Sequence, residues 1–319
     1  MSKDPTLQNS NTPERQSPAS RLERLGPVLG IRSKLLRVIR EFFHERGFLE
    51  VETPIRIPAP ALELHIDAEP AGNAFLRTSP ELHMKRLLAA GHERIFQMGP
   101  CFRRGERGDR HHPEYTMLEW YRANADYNDI LVDTKALITQ VASDILGGTD
   151  LSYRGKEISL SPVWERITVA EAFKQFAGWD PSAKYDADRF DLDLVDKVEP
   201  QLPQNVPVIL TDYPAQAAAL ARRKPGSPNV AERWELFVGG LELANAYSEL
   251  NDPVEQRARF KDCARQRKEL GKDVYPLDEE FLAVIANLPP SGGIALGVDR
   301  LLMLLTNSAS LDNVLPFRD

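Results

Sequence analysis

Two glutamates, Glu235 and Glu242, flank the glycine pair Gly239-Gly240 in a segment of alternating polar and apolar residues. A glycine pair between such runs predicts a β-hairpin with a two-residue turn. With this turn Glu235 lies opposite Ala244, so the two carboxylates project from one face as diagonal neighbours. Carboxylates this close repel unless a cation lies between them, and Mg²⁺ that also holds substrate phosphates suits them. The alternative is that both carboxylates face water.

A second candidate segment is the loop at residues 103–113, which contains four arginines and two glycines. The planar guanidinium of arginine can bind two phosphate oxygens at once, so the loop predicts phosphate binding. A charged loop that only faces water is the alternative. His111 and His112 are adjacent and would point to opposite faces of a strand, which argues against a shared metal ion.

A third segment, residues 291–301, combines small residues with one arginine. Glycine or alanine at positions 292, 293, 295 and 297 would let a ligand approach the backbone closely. Arg300 then lies near the start of a predicted helix, where an anion is favoured. Glycine-rich strands also occur for purely structural reasons, so this segment is informative mainly beside the other two.

Together these segments predict a site for a nucleotide and a carboxylate. They supply arginines for phosphates, a pair of carboxylates for Mg²⁺ and a glycine-lined surface, whereas no nucleophile–base pair and no P-loop is evident. A substrate carboxylate is already ionised at pH 7 and can attack phosphorus without a general base. Catalysis would then consist of positioning and neutralising phosphate charge.

The elements that must position these residues follow from hydrophobic periodicity. Helical spacing predicts helices at residues 31–46, 82–90, 130–146, 168–177, 254–270 and 298–305. Alternation predicts strands at 48–53, 95–102, 115–121, 206–210 and 292–297, and two more within 234–250, whereas 178–205 shows no clear pattern. Strands joined by hairpins, with helices between groups, predict an α+β fold in which helices flank an antiparallel sheet.

The bulk properties set the remaining bounds. Of the 319 residues, 1–25 are rich in polar residues and proline and predict a disordered tail, which leaves 26–319 as one catalytic domain. No apolar run approaches the roughly 18 residues of a membrane span, and two distant cysteines indicate reduced thiols, so we expect a cytoplasmic protein. The net charge of −7 argues weakly against tRNA as the main partner.

The three segments resemble the three signatures of class II aminoacyl-tRNA synthetases, specifically the lysyl branch. Residues 31–54 resemble the first signature, which forms much of the dimer interface in that family, so the resemblance implies a homodimer. Residues 102–121 resemble the second signature, and 297–300 resemble the third. The resemblance runs from about residue 30 to 305, and it implies ATP and Mg²⁺ as cofactors of amino-acid activation.

Within that branch, the chain is more similar to the elongation factor P–lysine ligase family. Lysyl-tRNA synthetases place an oligonucleotide-binding barrel before the core, and here only a short polar stretch precedes it. The string at 113–121 is similar to that ligase family, as is Ala295, where synthetases usually carry glycine. The resemblance implies activation of (R)-β-lysine and its transfer to a lysine ε-amine of elongation factor P.

Residue roles are also implied by the resemblance. Arg103 would bind the α-phosphate and Arg300 the γ-phosphate, while Glu235 and Glu242 would hold Mg²⁺. Further ATP contacts are implied at Glu106, His112, Glu242, Leu243 and Gly297. The residues implied for the amino acid are Ser79 and Glu81 at one end, Glu119, Tyr121 and Glu249 at the distal ammonium, and Ala295 in the pocket.

Two positions depart from the family pattern beside the adenine. Gly105 replaces an acidic residue, for which Glu106 is the candidate substitute, and His112 replaces an asparagine. Two rival functions stay open. One is activation of α-lysine or another amino acid for a different acceptor, tRNA or a small molecule. The other is a catalytically silent paralog that senses an amino acid, which should lack the phosphate and metal groups that this chain retains.

Overall fold

A computed structural model describes residues 18–161, 163–218 and 220–318. The first 17 residues of the predicted tail lie outside these ranges. In the described chain the α-helices are α1 (Pro18–Glu45), α2 (Glu81–Ala89), α3 (Tyr127–Leu146), α4 (Val169–Phe176), α5 (Ala187–Asp193), α6 (Pro253–Glu269), α7 (Glu279–Val284) and α8 (Val298–Leu305).

The strands form one large sheet and two small ones. They are β1 (Leu49–Glu50), β2 (Arg56–Ile57), β3 (Pro70–Ala71), β4 (Ala74–Leu76), β5 (Arg94–Phe102), β6 (Glu114–Ala123), β7 (Asp150–Tyr153), β8 (Lys156–Ser159), β9 (Glu165–Thr168), β10 (Val208–Pro214), β11 (Arg223–Lys224), β12 (Ser227–Val238), β13 (Leu241–Ser248) and β14 (Ser291–Gly297). The large sheet has nine strands in the order β1-β5-β6-β14-β13-β12-β10-β9, with β11 on β12.

The large sheet confirms the predicted α+β plan, with one correction. The five long strands at its centre pair antiparallel, as the hairpins predicted. The two edge pairs, β1 with β5 and β9 with β10, are parallel, so the sheet is mixed. A parallel pair joins segments distant in sequence through a crossover, and no local turn signal marks such a pairing.

Helices cover both faces of this sheet because its buried strands alternate between two cores. Phe96 and Trp120 point into a core formed with α1, α3 and α8. Their neighbours Ile95 and Tyr121 point the other way, into a core formed with α2, α6 and α7. The candidate site lies on this second face.

Residues 18–25 correct the predicted boundary of the N-terminal tail. They form the first two turns of α1, in which Leu25 is buried. Arg21 donates a hydrogen bond of 2.7 Å to the carbonyl oxygen of Pro316, far away in sequence. This long-range contact explains why local composition predicted a tail where the chain is helical.

The other boundaries differ less. Helix α1 ends as predicted, with Gly47 at φ +72°, a left-handed conformation that glycine adopts without strain. The strand predicted at 48–53 is reduced to Leu49–Glu50, and the unassigned stretch 178–205 contains α5 and irregular helical turns. None of the described helices has the length and apolar character of a membrane span.

Candidate active site

Four long strands bring the candidate residues into one row across the second face of the sheet. Glu119 on β6 lies directly beside Ala295 on β14, which lies beside Asn245 on β13, which lies beside Glu235 on β12. A cavity of about 840 Å³ opens above this row. The sheet therefore fixes the spacing of the polar groups, because each belongs to a paired strand.

The β12–β13 hairpin contains the predicted turn but not the predicted register. Gly239 and Gly240 both have positive φ, as a tight turn requires. A β-bulge at Leu243 adds one residue to β13, so Glu235 lies opposite Asn245 and not opposite Ala244. The Leu243 side chain is buried in the α1–α3–α8 core, which leaves its backbone as the part available to a nucleotide.

Glu235 and Glu242 are close enough for Glu242 to raise the pKa of Glu235, although burial raises it more. Each carboxylate nevertheless has a protein partner of its own. Arg233 and the Tyr213 hydroxyl donate to Glu235 over 2.6 Å and 2.5 Å. Arg300 donates to Glu242 over 3.2 Å. A cation between them is therefore not required by charge balance, contrary to the hairpin argument.

At one end of the cavity, Glu119 is held by two hydroxyl groups. Ser79 donates to its Oε1 over 2.7 Å and Tyr121 to its Oε2 over 2.8 Å. The Glu119 side chain is only 1% exposed. Burial, reinforced by repulsion from Glu81, raises the pKa of Glu119 to about 7. A cationic ligand would therefore bind most favourably when this carboxyl group is ionised.

Lys85, which sequence reasoning missed, links two further carboxylates at this end. It is buried, and its Nζ lies 2.5 Å from Glu81 Oε1 and 2.5 Å from Glu249 Oε2. Burial disfavours its charge, but Glu249 and Glu81 together raise the pKa of Lys85. Burial also raises the pKa of Glu249 to about 8 despite the ammonium beside it. The i, i+4 spacing of Glu81 and Lys85 on α2 was the one available signal.

Gly292 and Gly293 of β14 are required by protein packing, which corrects the predicted reason for these two glycines. A Cβ on Gly293 would lie 2.3 Å from Glu249 Oε1 and 2.3 Å from the Tyr121 ring. A Cβ on Gly292 would lie 2.6 Å from the carbonyl oxygen of Asp126. Only a bare backbone lets Tyr121 and Glu249 pack beside the strand.

At the other end, Arg300 is fixed by four acceptors. Its guanidinium donates to the carbonyl oxygen of Arg110, to the carbonyl and carboxylate oxygens of Glu242, and to His111 Nε2 over 2.9 Å. Burial and the nearby Arg300 lower the pKa of His111, so its ring stays neutral and can accept this bond. Sequence reasoning gave His111 no role.

The neighbouring residue Asp299 joins the three signature segments. Its Oδ1 accepts a hydrogen bond from Arg32 of α1 over 2.5 Å. Its Oδ2 accepts from the backbone N–H of Thr116 on β6 over 2.8 Å, and Arg32 also donates to the Thr116 hydroxyl. The helix that begins at Val298 and carries Arg300 is thereby tied to both other segments.

The arginine-rich loop places Arg103 in the cavity wall. Its guanidinium carbon lies 5.3 Å from the centre of the Tyr115 ring, and its Nε is buried without a partner in the described residues. Glu106 lies 3.7 Å away, as a weak ion pair. Gly105 has φ +80°, which explains glycine at this departure from the family pattern. His112 Nε2 is likewise buried without a partner among the described groups.

The structure brings the predicted residues to one region, where one group lines the cavity and a second group lies beside it. Those that line the cavity are Ser79, Glu81, Arg103, Glu119, Tyr121, Glu235 and Ala295. Those beside it, in the sheet, the loop or the start of α8, are Glu106, His112, Glu242, Leu243, Glu249, Gly297 and Arg300.

Comparison with known proteins identifies this arrangement. The family model described as tRNA synthetases class II (D, K and N) matches residues 12–319. The chain belongs to the class II tRNA synthetases. The mixed nine-stranded sheet with flanking helices is the catalytic domain of that family, as the sequence predicted.

Similar relatives of this class II domain carry one name. The lysine–tRNA ligase of Pelotomaculum thermopropionicum is 40% identical over 91% of the chain. Those of Clostridium perfringens strain SM101 and Moorella thermoacetica are 39% and 38% identical over 90% of the chain. The chain spans 63% of the length of the first of these relatives. The name of these relatives mentions lysine and tRNA as what they join, and the expectation that tRNA is unlikely as a partner receives no support from it.

The groups that this class II domain offers fit ATP and Mg²⁺. The unpartnered Nε of Arg103 and the partly exposed side chain of Arg300 suit phosphate oxygens. No cluster of three or more metal-ligating side chains occurs in the described ranges. Mg²⁺ in nucleotide sites is commonly held by one or two carboxylates together with phosphates, so Glu242 and Glu235 are a sufficient set.

Proposed function

We propose that this class II domain activates (R)-β-lysine with ATP and transfers it to a lysine ε-amine of elongation factor P. The observation that carries the proposal is the buried acidic end of the cavity, where Glu81, Glu119 and Glu249 lie close together and, in the described part of the chain, Glu81 and Glu249 share one ion-paired ammonium group, that of Lys85. A cationic ligand would favour the ionised form of these carboxyl groups and be bound by it, and a diamino acid supplies two ammonium groups.

In the first step a carboxylate oxygen of the amino acid forms a bond to the α-phosphorus of ATP, and the bond to pyrophosphate breaks. Arg103 would neutralise the charge that develops on the α-phosphate, and Arg300 would hold the γ-phosphate. Mg²⁺ held by Glu235 and Glu242 would supply further charge neutralisation at the phosphates. Glu119, Tyr121 and Glu249 would hold the distal ammonium, and Ser79 and Glu81 the other end, which fixes the carboxylate at the reacting end.

In the second step a neutral amine of the acceptor attacks the carbonyl carbon of the adenylate. A C–N bond forms, the C–O bond to AMP breaks, and the amine releases one proton. Because a lysine ε-amine is mostly protonated at pH 7, raising the pH should accelerate this step. We further propose a homodimer through α1, on the basis of the resemblance of this helix to the first signature.

The preference for β-lysine depends on Ala295. Its position beside Glu119 in the central row places its methyl group on the floor of the cavity. A methyl group there narrows the pocket relative to glycine and supports an amino acid whose amino group is displaced by one carbon. The similarity of residues 113–121 to the elongation factor P ligases supports the protein acceptor.

The second candidate function is activation of α-lysine for tRNA. It is favoured by the name of the relatives described above, which are lysine–tRNA ligases and are 38% to 40% identical to the chain. An ATP–pyrophosphate exchange assay with both lysine isomers distinguishes the amino acids. Transfer of radiolabelled product to elongation factor P or to tRNA then distinguishes the acceptors. We expect faster exchange with β-lysine and label on the protein; faster exchange with α-lysine and label on tRNA would reject the first proposal.

A silent amino-acid sensor is tested by the same exchange assay. Substituting Arg300→Ala removes the guanidinium that Glu242, His111 and Arg110 hold in place. We expect the variant to lose exchange by at least about 100-fold, as for other preorganised charge-stabilising groups. Retention of amino-acid binding by both proteins, with no exchange by either, would support the sensor.

A further inference from the structure

Strand β10 changes the face to which its side chains point near Asp212. Val208 and Leu210 pack in a core that α4 and α5 cover, whereas Ile209 between them packs in the core of α1, α3 and α8. Side chains of a strand alternate between its two faces, so this pattern would direct Tyr213 to the face of Ile209. Tyr213 instead packs with Val208 and Leu210 and lines the cavity. The chain therefore departs from regular strand geometry between Leu210 and Tyr213.

The backbone of Asp212 makes this departure. Its φ of +62° lies in the left-handed region, and the pairing of β10 with β12 shifts register between Thr211 and Tyr213. Residues with a side chain rarely adopt this conformation, and aspartate and asparagine tolerate it best after glycine. Among the non-glycine residues with positive φ in the described ranges, Asp212 alone lies inside a strand; the others, all in turns, are Asn124, Arg154 and Asn307. Such a conformation persists only where the surrounding structure holds it.

Two hydrogen bonds hold the Asp212 carboxylate. The Tyr127 hydroxyl, at the start of α3, donates to Oδ1 over 3.1 Å, and Lys224 Nζ of β11 donates to Oδ2 over 2.6 Å. Tyr127 is itself fixed, because its backbone N–H donates to the Ser248 hydroxyl and its carbonyl oxygen accepts from the Trp234 indole. The Asp212 side chain is 13% exposed, so water competes weakly for these bonds. The left-handed turn is therefore maintained from outside β10, by α3 and β11.

The turn brings Tyr213 to Glu235. The Tyr213 hydroxyl donates to Glu235 Oε2 over 2.5 Å, and Arg233 donates to Oε1 over 2.6 Å. The Arg233 guanidinium carbon lies 4.4 Å from the centre of the Tyr213 ring, which steadies this arginine as well. Each oxygen of Glu235 thus has one donor and keeps the capacity to bind a cation in a fixed direction. With Tyr213 on the opposite face, Glu235 would lose one donor and Arg233 would lose its aromatic contact.

We propose that Asp212 is a positioning residue for the Mg²⁺–ATP end of the cavity. Its carboxylate holds the left-handed turn that aims Tyr213 at Glu235, and this contact orients Glu235 for the metal ion. The inference rests on the proposed role of Glu235 in Mg²⁺ binding. It adds to that role a residue that does not line the cavity and acts from the other face of the sheet.

The test measures ATP affinity by calorimetry without an amino acid, so that no reaction occurs, once with Mg²⁺ and once with EDTA. We expect Asp212→Ala to weaken ATP binding about tenfold with Mg²⁺, the value of one hydrogen bond to a charged group, and less than about twofold with EDTA. A loss confined to the Mg²⁺ condition separates a mispositioned metal ligand from general damage.

Two further substitutions of Asp212 separate the backbone from the side chain. Asp212→Asn tolerates positive φ and keeps an acceptor for Tyr127, so it should recover most of the affinity for Mg²⁺–ATP. Asp212→Gly adopts the turn without strain but lacks the carboxylate that holds it, so its affinity should fall in the same direction as that of Asp212→Ala. The glycine variant replaces the alanine variant if alanine prevents folding.

Tyr213→Phe tests whether Asp212 acts through the Tyr213 hydroxyl. The single variant should weaken Mg²⁺–ATP binding about tenfold, because it removes the same hydrogen bond to Glu235. Adding Asp212→Ala to Tyr213→Phe should weaken it by less than about threefold more, because substitutions that act on one contact are not additive.

Asn307→Ala is the matched control. Asn307 also has positive φ, +49°, and its side chain accepts a hydrogen bond from the backbone N–H of Arg154, but it does not line the cavity. We expect its affinity for Mg²⁺–ATP to stay within about twofold of the wild type.

Three results would overturn the inference and leave the proposed function intact: wild-type affinity of Asp212→Ala for Mg²⁺–ATP, an equal loss with EDTA, or additive losses in the double variant. A wild type that binds ATP no more tightly with Mg²⁺ than with EDTA would reject the proposed Mg²⁺ role of Glu235, and this inference would fail with it.

Discussion

The charged side chains at the two ends of the cavity differ in how exposed they are and in which groups stabilise them. At the amino-acid end, Lys85, Glu119 and Glu249 are each 1% exposed and contact other ionisable or hydroxyl-bearing side chains. At the phosphate end, the side chains of Arg300 and Glu242 are 21% and 42% exposed, and backbone carbonyl oxygens supply much of the support.

This difference suits the two ends to different roles, the amino-acid end to substrate selection and the phosphate end to the reaction. In a buried, low-dielectric environment an unmatched charge is expensive, so the amino-acid end should reject ligands with the wrong charge. At the more exposed end, water screens the arginines until phosphates replace it. The first end should therefore respond to pH and to the loss of one charge, whereas the second should respond chiefly to the loss of an arginine.

The largest expected effect is at the buried end. Lys85→Met would leave Glu81 and Glu249 buried without a cation and should reduce the free energy of unfolding by about 3–5 kcal/mol. Urea unfolding measures this loss. Burial raises the pKa of Glu249, and in the variant no ammonium would oppose this, so the variant should lose more stability at pH 8 than at pH 6.

Lys174→Met is the control for that measurement, because Lys174 pairs with Asp180 at the surface. Its loss should be at most about 1 kcal/mol. A Lys85→Met protein as stable as this control, or equally destabilised at both pH values, would contradict the view that the acidic end depends on a buried counter-charge.

The next effect is at the phosphate end. Arg103→Ala should lower kcat/KM for ATP–pyrophosphate exchange by about 10²- to 10³-fold, with unfolding stability changed little, because the group acts on developing phosphate charge. Arg107 belongs to the same loop and is exposed, so Arg107→Ala is the control and should stay within about threefold of the wild type. Equal losses in the two variants would indicate a general role of loop charge.

A smaller effect follows from the pKa of about 7 for Glu119. A cationic amino acid needs the ionised carboxylate, so its KM should rise about tenfold as the pH falls from 8 to 6. The arginines keep their charge over this range, so the KM for ATP should change much less. Glu119→Gln should weaken amino-acid binding and reduce the pH dependence; a variant with the full wild-type dependence would assign the titration elsewhere.

The smallest expected effect concerns Ala295. Removing its methyl group in Ala295→Gly should shift the ratio of exchange rates towards α-lysine by about fourfold, the value of one buried methyl-sized group. Parallel assays with both isomers measure this ratio, and the KM for ATP is the reference for general damage. A ratio that moves towards β-lysine would show that the methyl group does not set the preference.

Much of the fold was predictable because the central strands are joined by local signals. The glycine pair at 239–240, the hairpin of β5 and β6, and the passage from β14 to α8 were all predicted within a few residues. The parallel edge pairs and the stretch 178–205 were not, because distant chain segments stabilise them. Periodicity reports the neighbours of a residue along the chain and not its partners across the fold.

The candidate site was predictable as a set of residues but not as a set of contacts. The bulge at Leu243 changed the partner of Glu235 without any turn signal. The roles of Lys85 and His111 depend on partners 164 and 189 positions away, Glu249 and Arg300. Such pairings follow from packing of the whole domain. The sequence therefore identified the charged residues but could not predict which of them pair with each other.

The carboxylate of Asp299 has a consequence for biosynthesis. It accepts a hydrogen bond from Arg32, which lies 267 positions away in the sequence. Asp299 directly precedes Arg300, the arginine proposed to bind the γ-phosphate. Contacts of such sequence separation form late in folding, because the entropy of closing a long loop opposes them. A nascent chain therefore cannot orient Arg300 until nearly the whole domain has left the ribosome, and nucleotide binding should be among the last properties that the folding protein acquires.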